Sequence, residues 1–217
     1  MSDFIVPPCR EALRILYQDE HCLFIDKPSG LLSVPGRHPA NRDSVASRLQ
    51  QDFPEAHIVH RLDMDTSGVM VIALNVESHR FLSRQFQERR SQKRYEAIVS
   101  ATPTPEQGSV DLPLICDWPN RPLQKVDHEI GKPSLTHYET TGPWQDGAGT
   151  RVVLTPHTGR SHQLRVHMAA IGCPILGDSF YAPKVTQEAA PRLLLHASEL
   201  SIDTLTGPHR ISCLTPF

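Results

Sequence analysis

The chain has 217 residues and a hydrophobic fraction of 39%, enough for one large domain or two small ones and too apolar for a disordered chain. Its formal net charge is −2 and its pI about 6.6, so any attraction to a polyanion has to be local rather than global. The five cysteines make no C-x-x-C pair and their odd number closes no disulfide set, the opening residues are no secretory signal, and no apolar run reaches the length of a membrane span; the expectation is a cytoplasmic protein, away from the membrane.

Residues 1 to 12 read as a loose leader. "LYQDEHCLFIDKPSGLLSVPG" (16–36) reads strand, turn, strand: Leu23-Phe24-Ile25 is apolar, Lys27-Pro28-Ser29-Gly30 is turn chemistry, and Leu31-Leu32-Ser33-Val34 resumes an extended pattern. Asp43 or Ser44 caps a helix holding Val45 and Leu49, with Pro54 as its stop. Val69 to Leu74 is short, bounded by Gly68 and Asn75, and rich in β-branched residues: a buried strand. Glu77 to Arg90 places Phe81, Leu82 and Phe86 at helical spacing. Strands are expected at 95–100 and 150–154, and strand-like structure over 192–202. "SHQLRVHMAAIG" reads as a helix with Ser161 as N-cap, a stripe of Leu164, Met168 and Ile171, and Gly172 as its C′ residue. Strands and helices mix without βαβ alternation, which favours an α+β fold, and no composition break divides the chain.

Charge gathers in three places. "HRLDMD" (60–65) sets Asp63 and Asp65 at i, i+2, on one side of an extended chain, just before the apolar run. They can be solvated loop residues, a metal pair, or a catalytic carboxylate beside a base; no further ligand stands at a metal-binding spacing. Between residues 80 and 94 lie Arg80, Arg84, Arg89, Arg90, Lys93 and Arg94 against one acid, Glu88, with Arg80 and Arg84 at i, i+4 on one helix face. Residues 155–177 hold no acid but carry Arg160, Arg165 and three histidines, so a helix N-terminal half with its partial positive charge presents an arginine suited to a carboxylate or phosphate. The spacing of His157, His162 and His167 is a poor zinc signal, and no phosphate loop, dinucleotide fingerprint or serine-nucleophile elbow is present. The residues alone therefore suggest an enzyme acting on a polyanion or a simple RNA-binding module, and name no reaction.

"HRLDMDTSG" closely resembles the central motif of the RluA family of RNA pseudouridine synthases. "LFIDKPSGLLSVPG", "KRYEAIV", "GRSHQLRVHMAAIGCPILGD" and "RLLLHASEL" resemble its other motifs, in order along nearly the whole chain. "DLPLICDWPNRPLQKV" (111–126) resembles the dual-specificity branch, which modifies ribosomal and transfer RNA and lacks the S4-like domain of larger relatives. The resemblance implies a single catalytic domain over 1–217, with no S4 domain. It implies an α+β pseudouridine synthase fold: a mixed, largely antiparallel sheet with a central catalytic cleft and flanking helices.

It also implies isomerisation of uridine without cofactor or metal, in structured loops of 23S rRNA and tRNA anticodon stem-loops; a monomer is expected. By motif position, Asp63 is the catalytic aspartate, Arg165 its basic partner and Tyr95 the ring that stacks on the target uracil. Arg61 fills the space left by the flipped nucleotide, and Leu164 lines the uracil pocket or the core. His60 joins Arg61 on the RNA side, and Arg80 and Arg84 form a phosphate track. Asp65 stands where a small residue is expected and is read as solvated or structural. The alternative is a catalytically silent RNA-binding protein of the same fold.

Overall fold

A computed structural model describes residues 4–217; residues 1 to 3, part of the expected leader, lie outside the described residues. In chain order the elements are β1 (Arg14–Gln18), β2 (Cys22–Lys27), α1 (Val45–Leu49), β3 (His57–Ile58), β4 (Ser67–Ala73), α2 (Val76–Gln87), β5 (Gln92–Val99), β6 (Gln107–Asp111), β7 (Leu114–Cys116), β8 (Gln124–Val126), β9 (Leu135–Trp144), β10 (Gly149–Pro156), α3 (Gln163–Ala170), α4 (Lys184–Glu188), β11 (Leu195–Thr204) and β12 (Gly207–Ser212). Strands outweigh helices and their pairings are largely antiparallel, which makes the fold α+β. No helix among the described residues is long and apolar enough to cross a membrane.

Contacts divide the chain into two compact units. The first takes the chain up to Lys93 together with Ala197–Pro216; the second takes Arg94–His196 with Phe217. The first two boundaries fall inside β5 and inside β11, and neither coincides with a shift in composition.

In the first unit β1, β2 and β4 are neighbours in antiparallel register, and β3 pairs with the far end of β4. Asp19 closes the β1–β2 turn by accepting the N–H groups of His21 (2.8 Å) and Cys22 (2.7 Å). Every residue of β4 is buried, as its unbroken apolar run requires. Its core is Cys22, Phe24, Val69, Val71, Leu82, Leu200 and Ile202. Gly68 has φ +117°, and a Cβ there would stand 2.3 Å from the Ala197 carbonyl oxygen, so this position admits no side chain. Helix α1 begins with a capping box between Ser44 and Ser47, and α2 with Asn75, whose side chain accepts the Ser78 N–H. The expected strand at Leu31–Val34 is reduced to one bridge, Leu32 to Ser44, because this stretch serves a neighbouring loop instead. The leader residues from Phe4 to Glu11 carry no regular element, but Asn41 bonds Phe4 and Val6, and Arg48 donates to the carbonyls of Cys9 and Glu11.

In the second unit the strand order is β5, β10, β9, β6, all antiparallel, with β7 and β8 forming a separate two-stranded ribbon. Leu164 and Met168 of α3 pack into a core with Ile98, Val152, Leu154 and Leu194. Ser161 is not the N-cap of α3. His162 takes that position in the left-handed region, at φ 54°, and makes no side-chain cap bond. The other end is as expected: Gly172 has φ +77°, and the N–H groups of Gly172 and Cys173 return to Ala169 and Met168 in a Schellman arrangement.

Candidate active site

Asp63 lies in the first unit, on the loop between β3 and β4, and is partly buried. The loop is held by its backbone. Lys27, fully buried at the end of β2, donates to the carbonyls of Pro28 (2.9 Å), Leu31 (2.7 Å) and Met64 (2.9 Å). An ammonium has three N–H donors, and three carbonyls receive them, so the buried charge is matched by hydrogen bonds. The Gly30 N–H reaches the Met64 carbonyl as well (2.9 Å). Ser33 accepts the Leu62 N–H (3.2 Å) and donates to the Leu62 carbonyl (2.7 Å); Ser29 donates to the Asp65 carbonyl (2.7 Å). Leu62, Met64 and Asp65 are thus pinned on either side of Asp63 by the segment 27–33. The Asp63 carbonyl closes the turn by accepting the Thr66 N–H (3.2 Å). Asp65 lines a shallow concavity with Pro7, Cys9, Ser29 and Gly30.

His60, at the mouth of the loop, faces inward. Its Nε2 accepts the Val71 N–H (3.1 Å), which fixes Nδ1 as the protonated nitrogen of the neutral ring. The ring stacks on Phe86 of α2 with centroids 4.4 Å apart. Burial, and secondly the charge of Lys93, lower its pKa to about 3, so it is neutral in ordinary buffers. Arg61, the next residue, points to solvent. On α2 the apolar side buries Leu82 and half-buries Phe86, while Arg80 and Arg84 are exposed. Neither has a carboxylate partner among the described residues; nearby Arg90 pairs with Glu88 at 2.8 Å.

Tyr95, Leu164 and Arg165 lie in the second unit. Tyr95 is on β5, opposite Leu154, and packs against the core that contains Leu164. Arg165 is among the largest fully buried side chains, at 2% exposure. Its Nε and one Nη donate to the two carboxylate oxygens of Asp178, at 2.9 and 2.6 Å. Asp178 is itself completely buried, and its Oδ1 also accepts the N–H groups of Phe180 (2.9 Å) and Tyr181 (3.2 Å). The rings of Phe180 and Tyr181 lie 4.9 and 5.3 Å from the guanidinium carbon. The anion-seeking arginine at the start of α3 therefore meets a carboxylate of its own unit. Such a pair, planar and bidentate, fixes where the guanidinium points.

Lys27, Ser33 and Asp178 are not marked by the sequence patterns. Lys27 and Ser33 sit inside a segment whose turn residues explain themselves, and Asp178 closes the motif "GRSHQLRVHMAAIGCPILGD" without a spacing that singles it out. The three histidines do not converge on a metal: His167 is buried with Nδ1 on Thr136 (2.9 Å) and Nε2 on the Leu112 carbonyl (3.1 Å), His162 meets the Tyr181 hydroxyl (2.6 Å), and His157 is exposed.

Residues 21–170 match the family of RNA pseudouridylate synthases. A dual-specificity RNA pseudouridine synthase RluA from Escherichia coli strain K12 is 59% identical over 196 residues, which is 90% of this chain and 89% of that protein. One from Vibrio parahaemolyticus is 53% identical, over 90% of this chain and 79% of its own. Among solved structures, human RNA pseudouridylate synthase domain containing 1 superposes with a TM-score of 0.80 at 29% identity, over 97% of this chain and 86% of that one. Domain containing 4 superposes at 0.74 and 26% identity, over 94% and 88%. The matched span includes the pinned Asp63 loop, β5 with Tyr95 and α3 with Arg165, and on these grounds the chain belongs to the RNA pseudouridylate synthase family.

Proposed function

We propose that this enzyme isomerises uridine to pseudouridine at two kinds of site, a ribosomal RNA loop and a tRNA anticodon stem-loop. The observation that carries the dual specificity is the identity of 59% over 90% of the chain to a synthase named for it. In this reading the N1–C1′ bond of the target uridine breaks, the uracil turns while enclosed, C5 bonds to C1′, the proton on C5 leaves and N1 gains one. Atoms and charge balance with no redox change and no water consumed. The enzyme acts in the cytoplasm, as a monomer, with the whole chain as one catalytic domain.

Asp63 acts as the nucleophile, or as the base that opens a glycal path, and Arg165 is its basic partner. The bidentate hold of Asp178 on Arg165 supports that role, since a guanidinium fixed in direction is a better electrostatic partner than a mobile one. Tyr95 stacks on the uracil and Leu164 lines its pocket. Exposed Arg61 enters the stem as the uridine leaves, at a cost of a few kcal/mol that is least in a loop. The inward face of His60 supports a bracing role for that residue beneath Arg61, and Arg80 with Arg84 supplies phosphate contacts. The silent-binder alternative has no support from the relatives.

The test is conversion of an anticodon stem-loop and of ribosomal loop fragments by purified protein, read by pseudouridine-specific primer-extension stops. Conversion of both classes is expected. Conversion of one class alone removes the dual specificity, and conversion of neither removes the reading.

A further inference from the structure

The segment joining β7 to β8 carries the most exposed aromatic ring among the described residues, and nothing in the chemistry above uses it. Trp118 is 65% exposed. Arg121 lays its guanidinium carbon over the indole, 4.6 Å from its centroid, and Trp118 stays mostly exposed all the same. Arg121 has no carboxylate partner among the described residues; the carboxylate of Asp117 accepts the Asn120 amide (2.9 Å).

The platform is closed by local hydrogen bonds. Trp118–Asn120 is a 3-10 turn closed by Asn120 N–H to the Asp117 carbonyl (2.9 Å), Leu123 N–H to the Asn120 carbonyl (3.0 Å) and Asp117 N–H to the Leu123 carbonyl (2.9 Å). Its root is tied to α3: the Gln124 N–H donates to the Tyr181 hydroxyl (2.8 Å), which also meets His162 Nδ1 (2.6 Å) at the N-cap of α3. The Tyr181 ring is in turn 5.3 Å from the Arg165 guanidinium. One tyrosine thus touches both the root of the ribbon that carries the indole and the Arg165 guanidinium.

We propose that Trp118, backed by Arg121, is a stacking platform for an unpaired base of the RNA substrate outside the target uridine, with the Arg121 N–H groups on the adjoining phosphate. The inference rests on the RNA-modifying reading above and deepens it. An indole backed by an unpaired cation offers a base its π-face and its phosphate a countercharge, the pairing by which proteins hold single strands. A second protein is a poorer occupant, since the exposed ring is backed by a cation and its chain neighbours Asp117, Asn120 and Arg121 are polar or charged, where a protein contact has an apolar core. A platform whose turn is already formed loses less of its stacking free energy to ordering.

The experiment uses an anticodon stem-loop RNA that the wild-type enzyme converts; an enzyme that converts none defeats the reading and not this inference. Trp118 and Trp144 are the two tryptophans, so Trp144→Phe leaves Trp118 as the single indole emitter. Saturating RNA is expected to quench that emission and shield it from acrylamide. Trp118→Ala should raise the half-saturating RNA concentration in single turnover about 10- to 100-fold, with the effect in that concentration rather than in the rate at saturation. Trp118→Phe should recover most of it. Arg121→Ala should flatten the salt slope of binding by about 0.7, one phosphate's worth on a single strand. Emission unmoved by saturating RNA, or a Trp118→Ala enzyme that binds RNA like the wild type, overturns the proposal; so does an effect of Trp118→Ala confined to self-association in sedimentation.

Discussion

The Asp63 loop and the start of α3 each position one charged side chain, and they do so in opposite ways. Around Asp63 the backbone is clamped: Lys27, Ser29 and Ser33 hold the main chain of Leu62, Met64 and Asp65, while the Asp63 side chain remains only partly buried. At Arg165 the side chain itself is clamped, buried to 2% and bonded at two nitrogens by Asp178. A backbone clamp separates the chemistry of a residue from its contribution to folding. A side-chain clamp makes the two inseparable, because whatever replaces the arginine leaves a buried carboxylate behind.

The largest expected effect breaks the first side of this comparison cleanly. Asp63→Asn should lower single-turnover isomerisation by about 10⁴-fold or more while the denaturant midpoint stays near that of the wild type. Asp65→Ala should be mild on both measures; a dead Asp65→Ala beside an active Asp63→Asn would reverse the assignment.

On the other side, Arg165→Met should cost both activity and about 3–5 kcal/mol of stability, since it removes one member of a buried ion pair. Adding Asp178→Asn should restore much of the stability and none of the activity, as urea unfolding and single-turnover rates would show. If the double variant is no more stable than the single one, the clamp is not what holds this region together.

Lys27→Met probes the backbone clamp directly. Losing a charged donor to three carbonyls should cost about 3 kcal/mol in unfolding and lower the rate at saturation, through a loosened loop rather than through contact with substrate. A Lys27→Met enzyme with wild-type rate would mean that the loop is positioned without it.

How far this arrangement can be read from sequence differs between the two regions. The buried strand β4, the amphipathic α2, the Ser44 cap and the Gly172 stop follow from local pattern, because each is decided within a few residues. Asp63 and Arg165 are named by motif resemblance. Their holders escape it: Lys27 reaches Met64 across 37 residues and Asp178 reaches Arg165 across 13, and no local rule encodes either partner. Ser161 yields the N-cap for a related reason. His162 adopts a left-handed conformation and turns its ring to Tyr181, a tertiary interaction that local capping preferences do not contain.

Two smaller effects sharpen the picture of the first unit. The pKa of His60 is held at about 3, against an ordinary 6.5, by burial and then by Lys93. The unfolded chain therefore takes up this proton first as pH falls, so the stability tied to neutral His60 is complete above pH 6.5 and is lost between there and about pH 3. In the second unit, burial lowers His167 in the same direction. Unfolding midpoints should decline across that window, and His60→Gln should shallow the decline; an unchanged slope would assign the acid lability elsewhere. Smallest of all, Arg80→Ala with Arg84→Ala should weaken RNA binding and flatten its salt slope by about 0.7 for each phosphate no longer held, with turnover at saturation nearly kept. A slope that does not move takes that face of α2 out of the RNA path.

The most direct measurement maps pseudouridine in ribosomal and transfer RNA from cells that lack this protein, complemented with either wild type or Asp63→Asn. The account predicts that the wild type restores modification at a ribosomal loop and an anticodon stem-loop, and that Asp63→Asn, expressed to the same folded level, restores neither. Restoration by Asp63→Asn would contradict it.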